Sequence, residues 1–183
     1  LSAKGNNYDV IISEPSNPWI TGVSNLFTRE YFESCYSRLS GNGVMCQWIH
    51  SYYMDTDTLM TIFRTFQSVF PTCHLWQGSE GDYLILGFGK EPDISANRVV
   101  GHFSEGNPVG LDLARLDINT AEDLMSRRIL DTVQFKKMTR ETGSLVNTDD
   151  KPYVEFNAPR SLYQNTVGLN HQAVIAYSKN AGR

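Results

Sequence analysis

Two short stretches of this chain carry the side chains that could do chemistry. The first is Glu14-Pro15-Ser16-Asn17-Pro18-Trp19, which follows the apolar run Val10-Ile11-Ile12. The second runs from Gln47 to Tyr53 and follows Val44-Met45-Cys46; it contains His50 and Tyr52. A carboxylate such as Glu14 can hold an ammonium group, and it can take the proton of an amine about to act as a nucleophile. The same carboxylate could instead cap the next turn or pair with a surface cation. Ser16, Asn17, Trp19, Gln47 and Tyr52 are the candidate substrate-binding residues beside it. Asp82 and Tyr83 lie at a hairpin turn, where ordinary turn chemistry also explains them. Asp149, Asp150 and Glu155 come much later; these acids either cap turns or return to the same crevice.

These groups converge only if the elements beneath them place the two strand ends side by side. Val10-Ile11-Ile12 and Val44 to Ile49 have the unbroken apolar character of strands buried on both faces. Between them, Thr28 is a candidate N-cap, and Phe32, Cys35, Tyr36 and Leu39 repeat at helical spacing up to Gly41 and Gly43. Asp55 can cap a second helix that ends at Pro71. The runs Cys73 to Gln77 and Tyr83 to Phe88 are joined by a connection too short for a crossover helix, so they should pair antiparallel. The pattern predicts an α/β chain, half of a doubly wound domain with an antiparallel edge hairpin over residues 1–89. Residues 90–183 read as a C-terminal extension packing on it. A turn-rich stretch runs to Pro108, one helix spans Ala121 to Thr142, and a loop with an extended stretch follows Val146. A last short helix covers Asn170 to Ser178. In such sheets ligands collect outside the carboxyl ends of the strands, where both candidate stretches lie.

Composition sets wider limits. The chain has 183 residues, 40% hydrophobic and 20% charged, with a net charge of -4. This is enough to build a core, and no basic stripe points to nucleic acid. Cys35, Cys46 and Cys73 sit far apart in apolar runs and read as buried small hydrophobes in a reducing compartment. No His, Cys, Asp and Glu spacing suggests a metal site. There is no GxSxG and no P-loop, and Gly87-Phe88-Gly89 is not followed by a helical glycine fingerprint. No apolar run is long enough to span a bilayer. Leu1 reads as a cut inside a longer protein.

Two separated motifs give the chain a family likeness. "SEPSNPW" and "LFTREYF" stand near its front, and "NTDDKPYVEFNAPR" spans Asn147 to Arg160. Together they resemble the spermidine/spermine synthases, the polyamine aminopropyltransferases, in the bacterial branch where that domain follows membrane-spanning helices. The resemblance implies a Rossmann-like, methyltransferase-type sheet of which this chain holds the second half. It implies aminopropyl transfer from decarboxylated S-adenosylmethionine to a small amine, with no metal. By position, Glu14 falls where the family's proton-accepting Asp sits in its "DSSD" loop, and Asn17 falls where the second Asp sits. Asn17 keeps a hydrogen-bond acceptor but brings no charge. Gln47 lies near the family's glutamine after the next strand, with a one-residue offset open. The family's "PTYPSG" loop is replaced by "LWQGSEGD". The donor-binding residues of the family precede the matched stretch, so the isolated chain is expected to be inactive and to hold no nucleoside.

The resemblance also implies a homo-oligomer that covers exposed sheet surface. It implies a cytoplasmic location, as a free protein or as the cytoplasmic domain of a membrane protein with upstream helices. Two other functions stay open at this stage. One is methyl transfer from ordinary S-adenosylmethionine, which suits the uncharged Asn17. However, Asn17-Pro18-Trp19 matches the amino-methyltransferase Asn/Asp-Pro-Pro-aromatic motif poorly, because it comes three residues late and lacks the second Pro. The other is a non-catalytic assembly or sensing module.

Overall fold

A computed structural model describes residues 7–20, 22–142 and 145–178. Leu1 lies outside them, and so does the reading of it as a cut. The centre is a five-stranded sheet in the order β1-β2-β4-β3-β5. Its strands are β1 (Tyr8–Ser13), β2 (Leu39–His50), β3 (Thr72–Gln77), β4 (Asp82–Phe88) and β5 (Arg128–Leu130). β1 and β2 are parallel, with Ile11 beside Met45 and Ser13 beside Gln47. The predicted hairpin forms, but β4 inserts between β2 and β3 and runs antiparallel to both. The strand outside β3 is β5.

The helices are α1 (Arg29–Tyr36), α2 (Thr56–Val69), α3 (Ala96–Val99), α4 (Pro108–Ala114), α5 (Ala121–Ser126), α6 (Thr132–Thr142), α7 (Tyr153–Asn157) and α8 (Val167–Ile175). The two predicted N-caps are in place. The Thr28 hydroxyl accepts the Tyr31 N–H at 3.3 Å, and the Asp55 carboxylate accepts the Thr58 N–H at 2.8 Å. Each cap satisfies an amide that the first helical turn leaves without a partner.

Alternation along the strands gives the sheet two unlike faces. One carries Met45 and Ile49 of β2, Ile85 of β4 and Leu75 of β3, all fully buried. Phe32 of α1, Phe63 and Phe66 of α2, and Phe135 of α6 cover it. Phe32 meets Phe66 edge-on at 5.0 Å, Phe66 stacks on Phe70 at 4.5 Å, and Phe63 lies 5.6 Å from Phe135. Burial of each such ring contributes roughly 1.5–3 kcal/mol, so these aromatics dominate the core. Gly87 permits the packing, because a Cβ there would stand 2.6 Å from the Phe70 ring. The opposite face is covered by α4 and α5 only over β3 and β4. The chain is thus a mixed α/β fold with helices on both sides of the sheet, consistent with a Rossmann-like, methyltransferase-type architecture. Over β1 none of the described residues covers the second face, and Val10 and Ile12 are 55% and 72% exposed.

Four expectations from the sequence need correction. The helix predicted from Ala121 to Thr142 is two helices separated by β5. Arg128 and Leu130 pair with Trp76 and Leu75 of β3, so an edge ladder interrupts the helix. Asp131 then opens α6 by exchanging hydrogen bonds with Gln134, each side chain accepting the other's backbone N–H at 2.9 and 3.0 Å. Leu39 belongs to β2 rather than to the first helix, which ends at Tyr36. The segment after Val146 is not extended: it forms α7 and a 3-10 turn at Ala158–Ser161. The last helix starts three residues earlier than predicted. Residues 90–178 supply a strand to the sheet, and Leu130, Phe135, Val154 and Val174 join the same core as residues 7–89.

Candidate active site

The carboxyl ends of β1 and β2 stop side by side, and β4 begins at the same level, with Asp82 opposite His50. Glu14 follows β1 directly and is exposed. By alternation it continues the Val10–Ile12 face. Its charge reaches Cys46 on that face: burial raises the Cys46 thiol pKa, and Glu14 raises it further. Pro15 and Pro18 are both buried, so they seat the loop rather than merely flank it. Ser16 is exposed and Asn17 is half-buried. The Asn17 carbonyl accepts the Ile20 N–H at 3.0 Å and closes a turn that places Trp19.

Trp19 bridges the two candidate stretches. Its ring meets His50 edge-on at 4.9 Å and Tyr53 at 6.1 Å. Tyr52 stacks on His50 at 4.4 Å. Tyr53 holds a left-handed φ of 54°, which is uncommon for an aromatic residue and needs outside support. That support comes from the far end of the chain. Asn170 donates to the Ser51 and Met54 carbonyls, both at 2.7 Å. Thr166 donates to Ser51 at 3.0 Å and accepts the Met54 N–H at 3.2 Å. The loop that carries Tyr52 and Tyr53 is therefore clamped by α8 and the residue before it.

His50 is only 1% exposed. Burial lowers its pKa to about 4, against an upward pull from Asp82. The ring is therefore neutral near pH 7. His50 Nε2 and Asp82 Oδ1 are buried and have no hydrogen-bond partner among the described residues. The Asp82 carboxylate also accepts the Ser79 hydroxyl, so it performs turn chemistry as well as facing His50. A base whose folded pKa is lowered stabilises the fold above its unfolded pKa and loses that contribution as pH falls toward the folded value. Between pH 6.5 and pH 4, charging of unfolded His50 should cost about 3 kcal/mol of stability. Chemical denaturation across this range should show that loss, and His50→Gln should flatten it.

The remaining candidates separate. Gln47 is fully buried on the opposite face, where its Nε2 donates to the Trp48 carbonyl at 3.1 Å. The alternation puts Trp48, one residue on, on the Glu14 face. Tyr83 also lies on the core face. Its hydroxyl meets His171 Nδ1 at 3.3 Å, and burial pushes its pKa up to about 12. Asp149 and Asp150 are exposed in a turn closed between Thr148 and Lys151. There the Asp149 N–H donates to Glu30 at 3.1 Å, which ties the turn to α1. Glu155 accepts the Ser24 hydroxyl at 3.4 Å in the 3-10 turn Val23–Phe27, just beyond the loop after β1. These acids brace the surroundings of that loop rather than join the His50 cluster. Asn147 does more than the sequence reading gave it. It is fully buried; its side chain donates to the Phe27 carbonyl and accepts the Val154 N–H, both at 3.1 Å.

Among the described residues, no group of three or more His, Cys, Asp or Glu could hold a metal ion. No helix among them is long and apolar enough to cross a membrane.

Comparison with known proteins bears on the same region. Residues 1–77 match the family model of the spermine/spermidine synthase domain. The chain is similar to the polyamine aminopropyltransferase of Agathobacter rectalis, with 29% identity over 115 residues that cover 54% of this chain and 38% of that protein. It is also similar to the polyamine aminopropyltransferase of Lachnospira eligens, with 31% identity over 98 residues that cover 50% of this chain and 34% of that one. The enzyme of the same name from Thermotoga maritima is 29% identical over 73 residues, 25% of its length. The chain thus spans well under half the length of these relatives. The ends of β1 and β2, with Glu14 and His50, fall inside the stretch that is similar to the spermine/spermidine synthase domain.

Proposed function

We propose that the protein carrying this chain transfers an aminopropyl group from decarboxylated S-adenosylmethionine to a small amine. The crevice at the ends of β1 and β2 is the amine side of that site. The observation that carries this reading is the meeting of the Glu14 loop with His50 and Tyr52 through Trp19, within the segment that matches the synthase domain. The charges suit a cation. Glu14 and Asp82 are acids at this end of the sheet, and burial keeps His50 neutral, so His50 brings no positive charge to oppose an ammonium group. The aromatic faces of Trp19 and Tyr52 add attraction for a cation that lies over them.

In this reading Glu14 accepts the proton that the attacking amine nitrogen must lose. That nitrogen forms a bond to the carbon next to the sulfonium. The carbon–sulfur bond breaks, its electron pair stays on sulfur, and neutral methylthioadenosine leaves. Asn17, placed by its own turn, orients the amine by hydrogen bonding but supplies no second charge. Gln47, on the core face, has a structural part in this reading, and the crevice is closed by Trp19, Tyr52 and Asp82. The test is turnover of decarboxylated S-adenosylmethionine and putrescine to methylthioadenosine and an aminopropylated amine. Nucleoside binding without turnover on any diamine would overturn the reading.

A further inference from the structure

A cavity lies away from the Glu14–His50 cluster, between the second face of the sheet over β3 and β4 and the α4–α5 segment. Its volume is about 690 Å³, within the range of small-molecule sites. Trp76 of β3 and Leu84 and Leu86 of β4 form its floor, and Leu113, Leu116 and Leu124 form its roof. One polar atom in this apolar setting is unexplained. The indole N–H of Trp76 is buried and has no hydrogen-bond partner among the described residues. An indole N–H can only donate, so what completes it must bring an acceptor.

The charged groups at the rim do not call for an ion. Arg127 donates to the Gly78 carbonyl at 2.7 Å and to the Leu116 carbonyl at 3.2 Å, and it bridges the hairpin to the roof. It also lies near the Asp123 carboxylate, whose pKa is lowered by its hydrogen bonds with Thr120 and Asn119 and, to a smaller extent, by the Arg127 charge. Asp117 is the acid on the lining. One cation flanked by two acids leaves no net field to favour an anion, and apolar walls penalise any charge.

We infer that this cavity binds a small, uncharged, mostly apolar molecule that carries one hydrogen-bond acceptor for Trp76. Its lining shares no residue with the Glu14–His50 cluster, so the inference stands apart from the proposed transfer. The probe that tests it is Nile red, a neutral apolar dye with a carbonyl acceptor, titrated into the protein carrying this chain and followed by fluorescence.

The expected result is saturable one-to-one binding with a blue-shifted emission. Leu116 is the largely exposed outer edge of that roof, so Leu116→Trp narrows the cavity with little risk to folding; it should weaken binding at least tenfold. Trp76→Phe keeps the ring wall but removes the donor, and it should weaken binding about fivefold. Ile12→Lys, on the exposed face over β1, should leave binding unchanged. Unsaturable binding, insensitivity to Leu116→Trp, or loss of binding in Ile12→Lys would each overturn the site. Unchanged affinity in Trp76→Phe would overturn the acceptor requirement. Matching melting curves of variant and parent confirm that each variant is folded.

Discussion

Replacing Glu14 with Gln is expected to lower the turnover of the proposed transfer by roughly 10²- to 10⁴-fold, the usual contribution of a positioned general base. The amide has nearly the same size and still accepts a hydrogen bond, but it cannot take the proton that the amine must lose. Glu14 is exposed, so Glu14→Gln should leave stability within about 0.5 kcal/mol of the parent. Loss of rate without loss of fold separates chemistry from structure. Initial rates and melting curves on the same preparations measure both. A rate within about threefold of the parent, well below the range expected for a base, would remove Glu14 from that role.

The second large effect concerns stability. Asn147→Ala should cost about 2–6 kcal/mol, because it strands two buried backbone groups at about 1–3 kcal/mol each. Those groups are the Phe27 carbonyl and the Val154 N–H, each now bonded to the Asn147 side chain. The residue also joins distant parts through its backbone. Its N–H donates to Thr65 of α2 at 2.8 Å, and its carbonyl accepts the Arg29 N–H at 2.9 Å. The start of α1, the middle of α2 and the start of α7 are thus held by one side chain and its own peptide groups. Urea denaturation should show a lower midpoint with an unchanged slope. Asn147→Asp should not restore stability, because its second oxygen would face the Phe27 carbonyl. A cost below about 1 kcal/mol for Asn147→Ala, less than one stranded group, would contradict this account.

The contrast between Thr28 and Asn147 shows what could be read from the sequence. Thr28 and Asp55 act on amides three residues away, so local chemistry was sufficient to place α1 and α2. The short connection before Asp82 was sufficient to pair β3 with β4. Asn147, Thr166 and Asn170 act across 82 to 120 residues, and no local pattern encodes such partners. β5 was hidden for a related reason. Its three residues take strand form only because the edge of β3 is free to pair with them, so tertiary pairing overrides a helical pattern.

The site was legible in part. The acid at the end of β1 and the cluster at the end of β2 follow from the rule that strand ends collect ligands. Which side chains share a face depends on parity, and one residue reverses it. Gln47 and Tyr83 fall on the core side, whereas Trp48 and Asp82 share the Glu14 side. The suppressed charge of His50 depends on burial beneath Trp19 and Tyr52, which the sequence does not reveal.

The central claim is tested most directly by giving one preparation of the protein either donor, together with putrescine, and identifying the nucleoside product. The account predicts methylthioadenosine from decarboxylated S-adenosylmethionine, released only when amine is present. Formation of S-adenosylhomocysteine from ordinary S-adenosylmethionine would contradict it and assign methyl transfer to the same scaffold.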